Sequence, residues 1–243
     1  YKSSILILFS WSGGPRTKNK LEDTWSINKN IILNFLSICK YLKPSKIVFI
    51  SSAGTLYPTN KETYKFNEKD LISPKLDYGK QKFIAEKTIS NYALDNNLDY
   101  LILRVSSAYG YDNRFSDQGV INKWLYSAIQ DKTLKLYNSE NSVINFISFK
   151  QISEAIKILL KNDKNGIYNI GTESSISLKD VIQKVFKITN KKLDVEIINN
   201  ENRFFNIDIS KFYFDTGIKF PNELEKDMQY IYQAILENEK DYF

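Results

Sequence analysis

The chain has 243 residues, 42% of them hydrophobic, which predicts a globular protein with one sizeable core or a core and a small second lobe. It contains no histidine and one cysteine, Cys39, so serine–histidine triads, histidine-ligated metals and internal disulfides are excluded, and no metal site is predicted. The net charge of +6 is spread along the chain, which predicts a solvated lysine-rich surface that suits an anionic ligand and no nucleic-acid interface. No apolar run approaches the ~20 residues of a membrane span and no signal peptide is visible, so we expect a cytoplasmic protein without a membrane partner.

Strand-like and helix-like segments alternate in the first part of the chain. The strands are predicted at about 4–9, 46–51 and 99–105, and the helices at about 23–41 and 78–96. This alternation predicts an α/β protein with a parallel sheet. After Gly110 the pattern is mixed, with short strands that join helices predicted at about 119–131, 150–161, 178–188 and 222–237. The sequence therefore predicts a small second lobe in the later part of the chain.

The segment LDYGKQKFIAEK opens the second predicted helix with Tyr78 and Lys82, four residues apart. Positions i and i+4 lie on one face of a helix, so both side chains can reach the same small molecule. An ammonium beside the phenol favours the tyrosinate, so we expect the pKa of Tyr78 to fall from about 10 and Tyr78 to act as a general base. A second pair with this spacing, Tyr57 and Lys61, is interrupted by a proline and is predicted to lie in a loop. Tyr78 and Lys82 are therefore the predicted catalytic pair.

The order of the segments FISSAGTLYP, DYGKQKFIAEK and LILRVSSAYG resembles the extended short-chain dehydrogenase/reductases, the NAD-dependent nucleotide-sugar epimerases and dehydratases that UDP-glucose 4-epimerase typifies. Upstream, INKNIILNFLSICK is similar to a helix of that family, and downstream GIYNIG, SLKDVIQKV and DISKFYFDTGIKFPNELEKDMQ are similar to its carboxyl-terminal half. The resemblance implies a Rossmann-like, doubly wound parallel sheet with a small mixed α/β substrate-binding lobe. It assigns residues 1–115, with returning segments near 145–170, to the later part of an NAD(P)-binding domain, and residues 116–243 mainly to the substrate lobe.

The resemblance also implies NAD as cofactor, with NADP as the alternative, and a nucleotide sugar as substrate. Many members carry a serine or threonine four residues before the tyrosine of the first segment, and Ala53 stands there in this chain. Thr55 is therefore expected to hydrogen-bond the reacting sugar oxygen and to join the catalytic pair. The cofactor-binding residues that the resemblance implies are Phe9, Ser10, Asn28, Ser51, Tyr78 and Lys82. The implied substrate-binding residues are Thr55, Ser107 and Arg203.

Several family features are missing from this sequence. No glycine-rich turn of the G-x-G-x-x-G kind occurs, so we expect that a unit of about 60 to 70 residues that carries it lies upstream or has been lost. Ile144, followed by Asn145, stands where a phosphate-binding arginine is expected, whereas Arg203 matches a later arginine of the family. A guanidinium binds a diphosphate bidentately and isoleucine cannot, so diphosphate binding is predicted to be weaker or differently arranged.

The sequence favours an epimerase over a dehydratase, because SSAGT stands where dehydratases of the family carry S-T-D-E with an acid–base pair. The implied mechanism has Tyr78 removing a proton from a sugar hydroxyl while hydride passes to the nicotinamide and is later returned. The implied setting is surface-polysaccharide or nucleotide-sugar metabolism, and helix packing in the family implies a homodimer. Two alternatives stay open: a nucleotide-sugar reductase or dehydratase of the same family, and a non-catalytic truncated remnant.

Overall fold

Strands and helices are found close to the predicted bounds in the computed structural model, which describes residues 4–15, 21–58, 64–110 and 119–240. The strands in this part of the chain are β1 (Ile5–Leu8), β2 (Lys46–Ser52), β3 (Lys65–Phe66), β4 (Asp99–Val105), β5 (Ser107–Tyr109), β6 (Leu134–Leu136), β7 (Val143–Ile144), β8 (Phe146–Ser148), β9 (Gly166–Ile170), β10 (Ile176–Ser177), β11 (Val195–Ile197) and β12 (Phe204–Ile207). The helices are α1 (Leu21–Leu42), α2 (Ala53–Leu56), α3 (Asp77–Asp95), α4 (Val120–Ile129), α5 (Phe149–Lys161), α6 (Leu178–Thr189), α7 (Ser210–Thr216) and α8 (Leu224–Lys240).

A four-stranded sheet with the order β1-β2-β4-β9 organises the first part of the chain. All three neighbouring pairs are parallel, with registers that begin at Ile5↔Lys46, Lys46↔Asp99 and Leu101↔Gly166. Parallel strands need crossover connections, and helices α1 and α3 supply two of them. The carboxyl ends of these strands therefore lie at one edge of the sheet.

Helices cover both faces of this sheet, because successive strand residues point to opposite sides. On one face, buried residues of α1 and α3 such as Phe35 and Ile89 pack against Phe49. On the other face, residues of α5 such as Ile156 pack against Val48, together with Phe212 of α7. The predicted fold class, a Rossmann-like doubly wound parallel sheet, is thus confirmed.

A third core holds most of the later part of the chain. Helices α4, α6 and α8 contribute Trp124, Val185 and Met228, and these pack against a small mixed sheet of order β10-β7-β12-β3. Strand β3 comes from the first part of the chain, and β9 returns to the parallel sheet from the later part. The two parts of the fold are therefore interleaved along the sequence.

Two kinds of feature are absent from the described residues. No helix in residues 21–58, 64–110 or 119–240 is both long enough and apolar enough to cross a membrane. Over the same described residues, no cluster of three or more histidine, cysteine or carboxylate side chains is suited to hold a metal ion.

Candidate active site at the carboxyl edge of the parallel sheet

The predicted catalytic segments meet where strand β2 ends. The chain leaves β2 at Ser52, makes the single turn α2, and is then contacted by the first turn of α3. Gly79 makes this contact possible, because a Cβ at position 79 would overlap the carbonyl oxygen of Thr55. The backbone next to Tyr78 therefore lies directly against Thr55, at the edge where open α/β sheets bind their ligands.

Lys82 is directed into this edge of the sheet and not toward solvent. Its Nζ donates a hydrogen bond of 2.8 Å to the carbonyl oxygen of Ile50. The same ammonium lies 4.1 Å from the ring centroid of Trp11, 4.8 Å from that of Phe49 and 5.8 Å from that of Tyr78. The residue is only 4% exposed. Tyr78 and Lys82 thus share one face of α3, as predicted, but the closest partners of the ammonium are Ile50 and Trp11.

The two side chains have oppositely shifted ionisation. Burial raises the pKa of Tyr78 to about 12. Burial lowers the pKa of Lys82 to about 7, and the negative charge of Glu86 one helical turn further on partly offsets that effect. The prediction that Lys82 lowers the pKa of Tyr78 is therefore wrong for this structure, because the ammonium is bound elsewhere and desolvation dominates. Tyr78 is held as the neutral phenol, which can donate a proton.

Two hydroxyls form a pair at the end of β2, in the turn that Gly79 contacts. Thr55 Oγ1 donates a hydrogen bond of 3.0 Å to Ser52 Oγ, because one turn of helix places residues 52 and 55 on the same side. Ala53, at the position where the family carries a hydroxyl, is fully buried in the third core. Thr55 is largely buried and Ser52 is more exposed. The pair can bind a ligand oxygen with the Ser52 hydroxyl while Thr55 holds that hydroxyl in place.

Asn28 is fully buried and binds protein groups with its whole amide. Its Oδ1 accepts from the backbone N–H of Ser12 at 2.7 Å, and its Nδ2 donates to the Ser12 carbonyl at 3.0 Å and to Gln81 Oε1 at 2.8 Å. Asn28 therefore ties the loop after β1 to helix α3 at the residue before Lys82. Phe9 and Ser10, the other predicted cofactor residues of this loop, are exposed at the carboxyl end of β1, and Phe9 is 61% exposed.

Three buried polar atoms at this edge have no hydrogen-bond partner within the part of the chain that the structure describes. They are Ser51 Oγ at the end of β2, Ser106 Oγ directly after β4, and Trp11 Nε1 after β1. Buried polar groups are nearly always hydrogen-bonded in proteins. Since β1, β2 and β4 are neighbours in the sheet, these three atoms lie at the same edge. Each can form a further hydrogen bond, so they are candidates for binding a cofactor or substrate.

The predicted substrate residues differ in where they lie. Arg203 precedes β12 and its guanidinium donates to the carbonyl oxygen of Gly54, next to Thr55, while packing 5.7 Å over the ring of Phe205. The structure thus brings Arg203 to the hydroxyl pair. Ser107 lies on β5, where its backbone N–H donates to the Asn145 carbonyl at 3.1 Å. No described contact joins the Ser107 side chain to Tyr78.

The positions that depart from the family have structural roles. Ile144 on β7 is 6% exposed and belongs to the third core. Asn145 donates to the Thr172 carbonyl at 2.9 Å and accepts from the Thr172 N–H at 3.1 Å. These side chains are occupied within the fold, so they are not placed to bind a diphosphate.

A buried polar network that the sequence pattern does not indicate joins several elements around the site. Arg104 of β4 forms an ion pair with Glu86 of α3 at 2.8 Å and donates to the Tyr57 hydroxyl at 3.0 Å. Tyr57 in turn donates to Asn169 Oδ1 at 2.9 Å. The network joins α3, the loop after β2 and strands β4 and β9, and it explains why Tyr57 is structural. Its partner in the second sequence pair, Lys61, lies outside the described residues. The partners of this network are 18, 47 and 112 residues apart along the chain, so no local spacing in the sequence indicates it.

Comparison with known proteins places this site in context. The sequence model of the NAD dependent epimerase/dehydratase family matches residues 4–171. The chain is 32% identical over 149 residues to dTDP-4-dehydro-6-deoxyglucose reductase of Escherichia coli, which covers 60% of this chain and 46% of that protein. It is 28% identical over 151 residues to a putative UDP-glucose 4-epimerase of Methanocaldococcus jannaschii, which covers 61% of this chain and 48% of that protein. The chain thus spans about half the length of these relatives.

A solved structure gives the same fold. The UDP-glucose 4-epimerase of Thermus thermophilus, in complex with NAD, superimposes with a TM-score of 0.84 at 20% identity. The match covers 96% of this chain and 78% of that chain. At this identity the likeness concerns the fold and carries no residue roles.

Proposed function

The chain belongs to the NAD dependent epimerase/dehydratase family, and we propose that it acts as an NAD-dependent epimerase on a nucleotide-activated sugar. One observation carries the proposal. Tyr78 lies on the same helix face as Lys82, and its neighbour Gly79 packs on Thr55 of the hydroxyl pair, all at the carboxyl edge of a parallel sheet. A proton donor, a cation and a hydroxyl donor at one edge suit oxidation and reduction of a sugar carbon that bears oxygen.

NAD is proposed as the cofactor because the similar Thermus thermophilus epimerase was solved with NAD, and NADP is the alternative. The spare hydrogen-bonding atoms of Ser51, Ser106 and Trp11 fit the polar groups of a nicotinamide nucleotide. The sequence has no glycine-rich turn to receive the pyrophosphate, and the nicotinamide half of the dinucleotide is proposed to bind at the carboxyl ends of β1, β2 and β4, where these unpartnered atoms lie. When bound, NAD would accept a hydride from the sugar carbon and could return it.

The residues of this chain have distinct roles in the proposed reaction. Tyr78 exchanges a proton with the reacting sugar oxygen: its neutral phenol, held by a pKa raised to about 12, donates the proton when a keto sugar is reduced, and the tyrosinate that this leaves takes a proton back when the sugar is oxidised. Lys82, whose ammonium lies 5.8 Å from the centroid of the Tyr78 ring, is the residue that would bind a ribose hydroxyl of the cofactor. The sequence favours Thr55 for the hydrogen bond to the same sugar oxygen, but the Thr55 hydroxyl donates to Ser52 Oγ at 3.0 Å, so Ser52 is proposed to donate to the sugar oxygen while Thr55 orients Ser52. Arg203 is proposed to bind a phosphate of the nucleotide sugar.

A nucleotide-sugar reductase is the second candidate. The relative that matches at 32% identity is a dTDP-4-dehydro-6-deoxyglucose reductase, and a reductase needs a tyrosine that starts as the neutral phenol. Burial raises the pKa of Tyr78 to about 12, so Tyr78 is the neutral phenol near neutral pH. The two activities differ in their use of cofactor, because a reductase consumes NAD(P)H and an epimerase returns its hydride.

The test uses a panel of nucleotide sugars and their 4-keto derivatives with NAD and NADP, followed both by cofactor absorbance and by chromatography of the sugar products. Product epimers without net change in cofactor absorbance are expected for the epimerase. Stoichiometric oxidation of NADH or NADPH with a 4-keto sugar would establish the reductase instead. No turnover and no binding of either dinucleotide by calorimetry would support the non-catalytic remnant.

The wider setting rests on the same proposal. We place the activity in the cytoplasm and in surface-polysaccharide or nucleotide-sugar metabolism, and we expect the protein to work as a homodimer. The division into an NAD(P)-binding part within residues 1–115, with returning segments near 145–170, and a substrate lobe mainly within residues 116–243 is likewise proposed. It is supported by the separate cores around the parallel sheet and around the small mixed sheet.

A further inference from the structure

Trp11 is the residue in closest ring contact with the Lys82 ammonium. The Nζ atom lies 4.1 Å from the indole centroid, against 4.8 Å for Phe49, and the two rings are 5.9 Å apart and tilted by 53°. The ammonium is therefore held beside two aromatic rings while it donates to the Ile50 carbonyl. A cation this close to an indole face is attracted by the negative face of the ring, most strongly where water is excluded.

The loop that carries Trp11 is held in place by hydrogen bonds to Asn28. The backbone N–H and carbonyl of the next residue, Ser12, are both bound by the buried amide of Asn28. The same amide binds Gln81, the residue before Lys82. One side chain therefore sets both the loop that carries the indole and the helix turn that carries the ammonium.

The orientation of the indole leaves its N–H group without a hydrogen bond among the described residues. Trp11 Nε1 is buried and has no hydrogen-bond partner among the described residues, whereas a buried tryptophan usually finds one. The orientation places the ring face on Lys82 and leaves the N–H at the edge of the sheet, where it is also proposed to meet the cofactor.

We propose that Trp11 is a positioning residue of the active site, which holds the Lys82 side chain in place through its indole face and keeps water from the ammonium. The inference deepens the proposed function, because Lys82 is the cation of that mechanism, but the contact itself does not depend on the substrate. Within the part of the chain that the structure describes, the charge that acts on Lys82 is that of Glu86. Glu86 acts on it from the same helix and is paired with Arg104 of β4, while Tyr78 contributes a neutral phenol.

The first test reads the contact without any turnover. Fluorescence of the purified protein and of Trp11→Phe is recorded from about pH 5 to about pH 9, and the difference gives the emission of Trp11 alone. Burial sets the pKa of Lys82 to about 7, so that emission should change with a midpoint near pH 7. The change should vanish in Lys82→Met and persist in Trp25→Phe, which alters a tryptophan of the same core. A flat difference, or a transition that survives in Lys82→Met, would overturn the proposal.

A second test separates positioning from simple packing. Trp11→Ala removes both the attraction of the indole face and the exclusion of water. Because burial is the larger cause of the lowered pKa, the admitted water should raise the pKa of Lys82 toward its ordinary value of 10.5. The effect of Lys82→Met on thermal stability should then lose most of its pH dependence in the Trp11→Ala background and keep most of it in the Trp11→Phe background. If the effect of Lys82→Met on thermal stability kept its pH dependence in the Trp11→Ala background, the indole would not position Lys82. Neither test uses a substrate, so both results remain valid even if the protein has no epimerase activity.

Discussion

Gly79, the residue after Tyr78, lies directly against the carbonyl oxygen of Thr55, so that helix α3 and the loop after β2 touch with no side chain between them. The contact sets how closely the tyrosine can approach the hydroxyl pair. It also joins two segments that are separate in sequence into one site. The first prediction concerns this contact.

Gly79→Ala should push α3 away from the loop after β2, because the added Cβ overlaps backbone and cannot be relieved by rotation of a side chain. We expect a loss of about 1–3 kcal/mol in the free energy of unfolding, the usual cost of overpacking, together with a loss of turnover. Gly54→Ala is the matched control, since a Cβ there meets Arg203 and Phe205 only at 3.6 Å. Denaturant unfolding of both variants is the measurement, and equal stabilities would contradict the close approach.

The hydroxyl pair gives the second prediction. Thr55→Val and Ser52→Ala should each lower kcat by about 10-fold, and the double variant should be little worse than either one, because paired groups act as a unit. The measurement is steady-state kinetics on the three variants, with Thr88→Val on the exposed side of α3 as control. Losses that multiply in the double variant would mean that the two hydroxyls act separately.

Arg203 gives the third prediction. If its guanidinium binds a phosphate remote from the reacting carbon, Arg203→Ala should raise the KM for a nucleotide sugar more than it lowers kcat. Arg203→Lys should recover only part of the binding, because an ammonium cannot form the bidentate contact. Equal falls in kcat and in affinity would argue that the contact between Arg203 and the Gly54 carbonyl shapes the loop instead.

The buried ammonium of Lys82 gives a pH-dependent prediction. The folded protein releases this proton near pH 7, whereas an unfolded chain keeps it to about pH 10.5. Between these values the unfolded chain binds more protons, so stability rises with pH across that window. Lys82→Met removes the buried charge and should stabilise the protein more at pH 6 than at pH 9, by about 2 kcal/mol. Thermal unfolding at both pH values measures the difference.

Lys80→Met is the control for that experiment. Lys80 lies on the same helix with its side chain 53% exposed and pairs with Asp77 at 3.0 Å. An exposed pair of this kind contributes little, so the variant should change stability by less than about 1 kcal/mol at either pH. If Lys82→Met behaved like Lys80→Met, the ammonium of Lys82 would not be buried as described.

Much of the fold followed from local pattern. The alternation of apolar strands and amphipathic helices predicts β1, β2 and β4 with α1 and α3, because each element buries its own apolar face. The shared face of Tyr78 and Lys82 followed from helical periodicity alone. The hydroxyl-rich end of β2 was predicted to lie near them and does, since both segments belong to the carboxyl edge of one sheet.

The electrostatics of the site could not be read from sequence. The partners of Lys82 are Trp11 and Phe49, which lie far from it along the chain and meet it only through packing on the parallel sheet. Burial of Tyr78 raises its pKa, whereas the sequence predicted that Lys82 would lower it. The amide of Asn28 likewise binds the loop at Ser12, a contact that no spacing rule predicts.

The measurement that bears most directly on the proposed function is the turnover of Tyr78→Phe in the native protein, with the nucleotide sugar that the panel identifies. The substitution removes only the hydroxyl, so the variant should fold normally and retain ligand binding by calorimetry, while kcat falls at least ~100-fold, the scale of general acid–base catalysis. Tyr92→Phe on the same helix should keep full activity. Near-normal turnover of Tyr78→Phe would remove Tyr78 from the chemistry and contradict the site described for this protein.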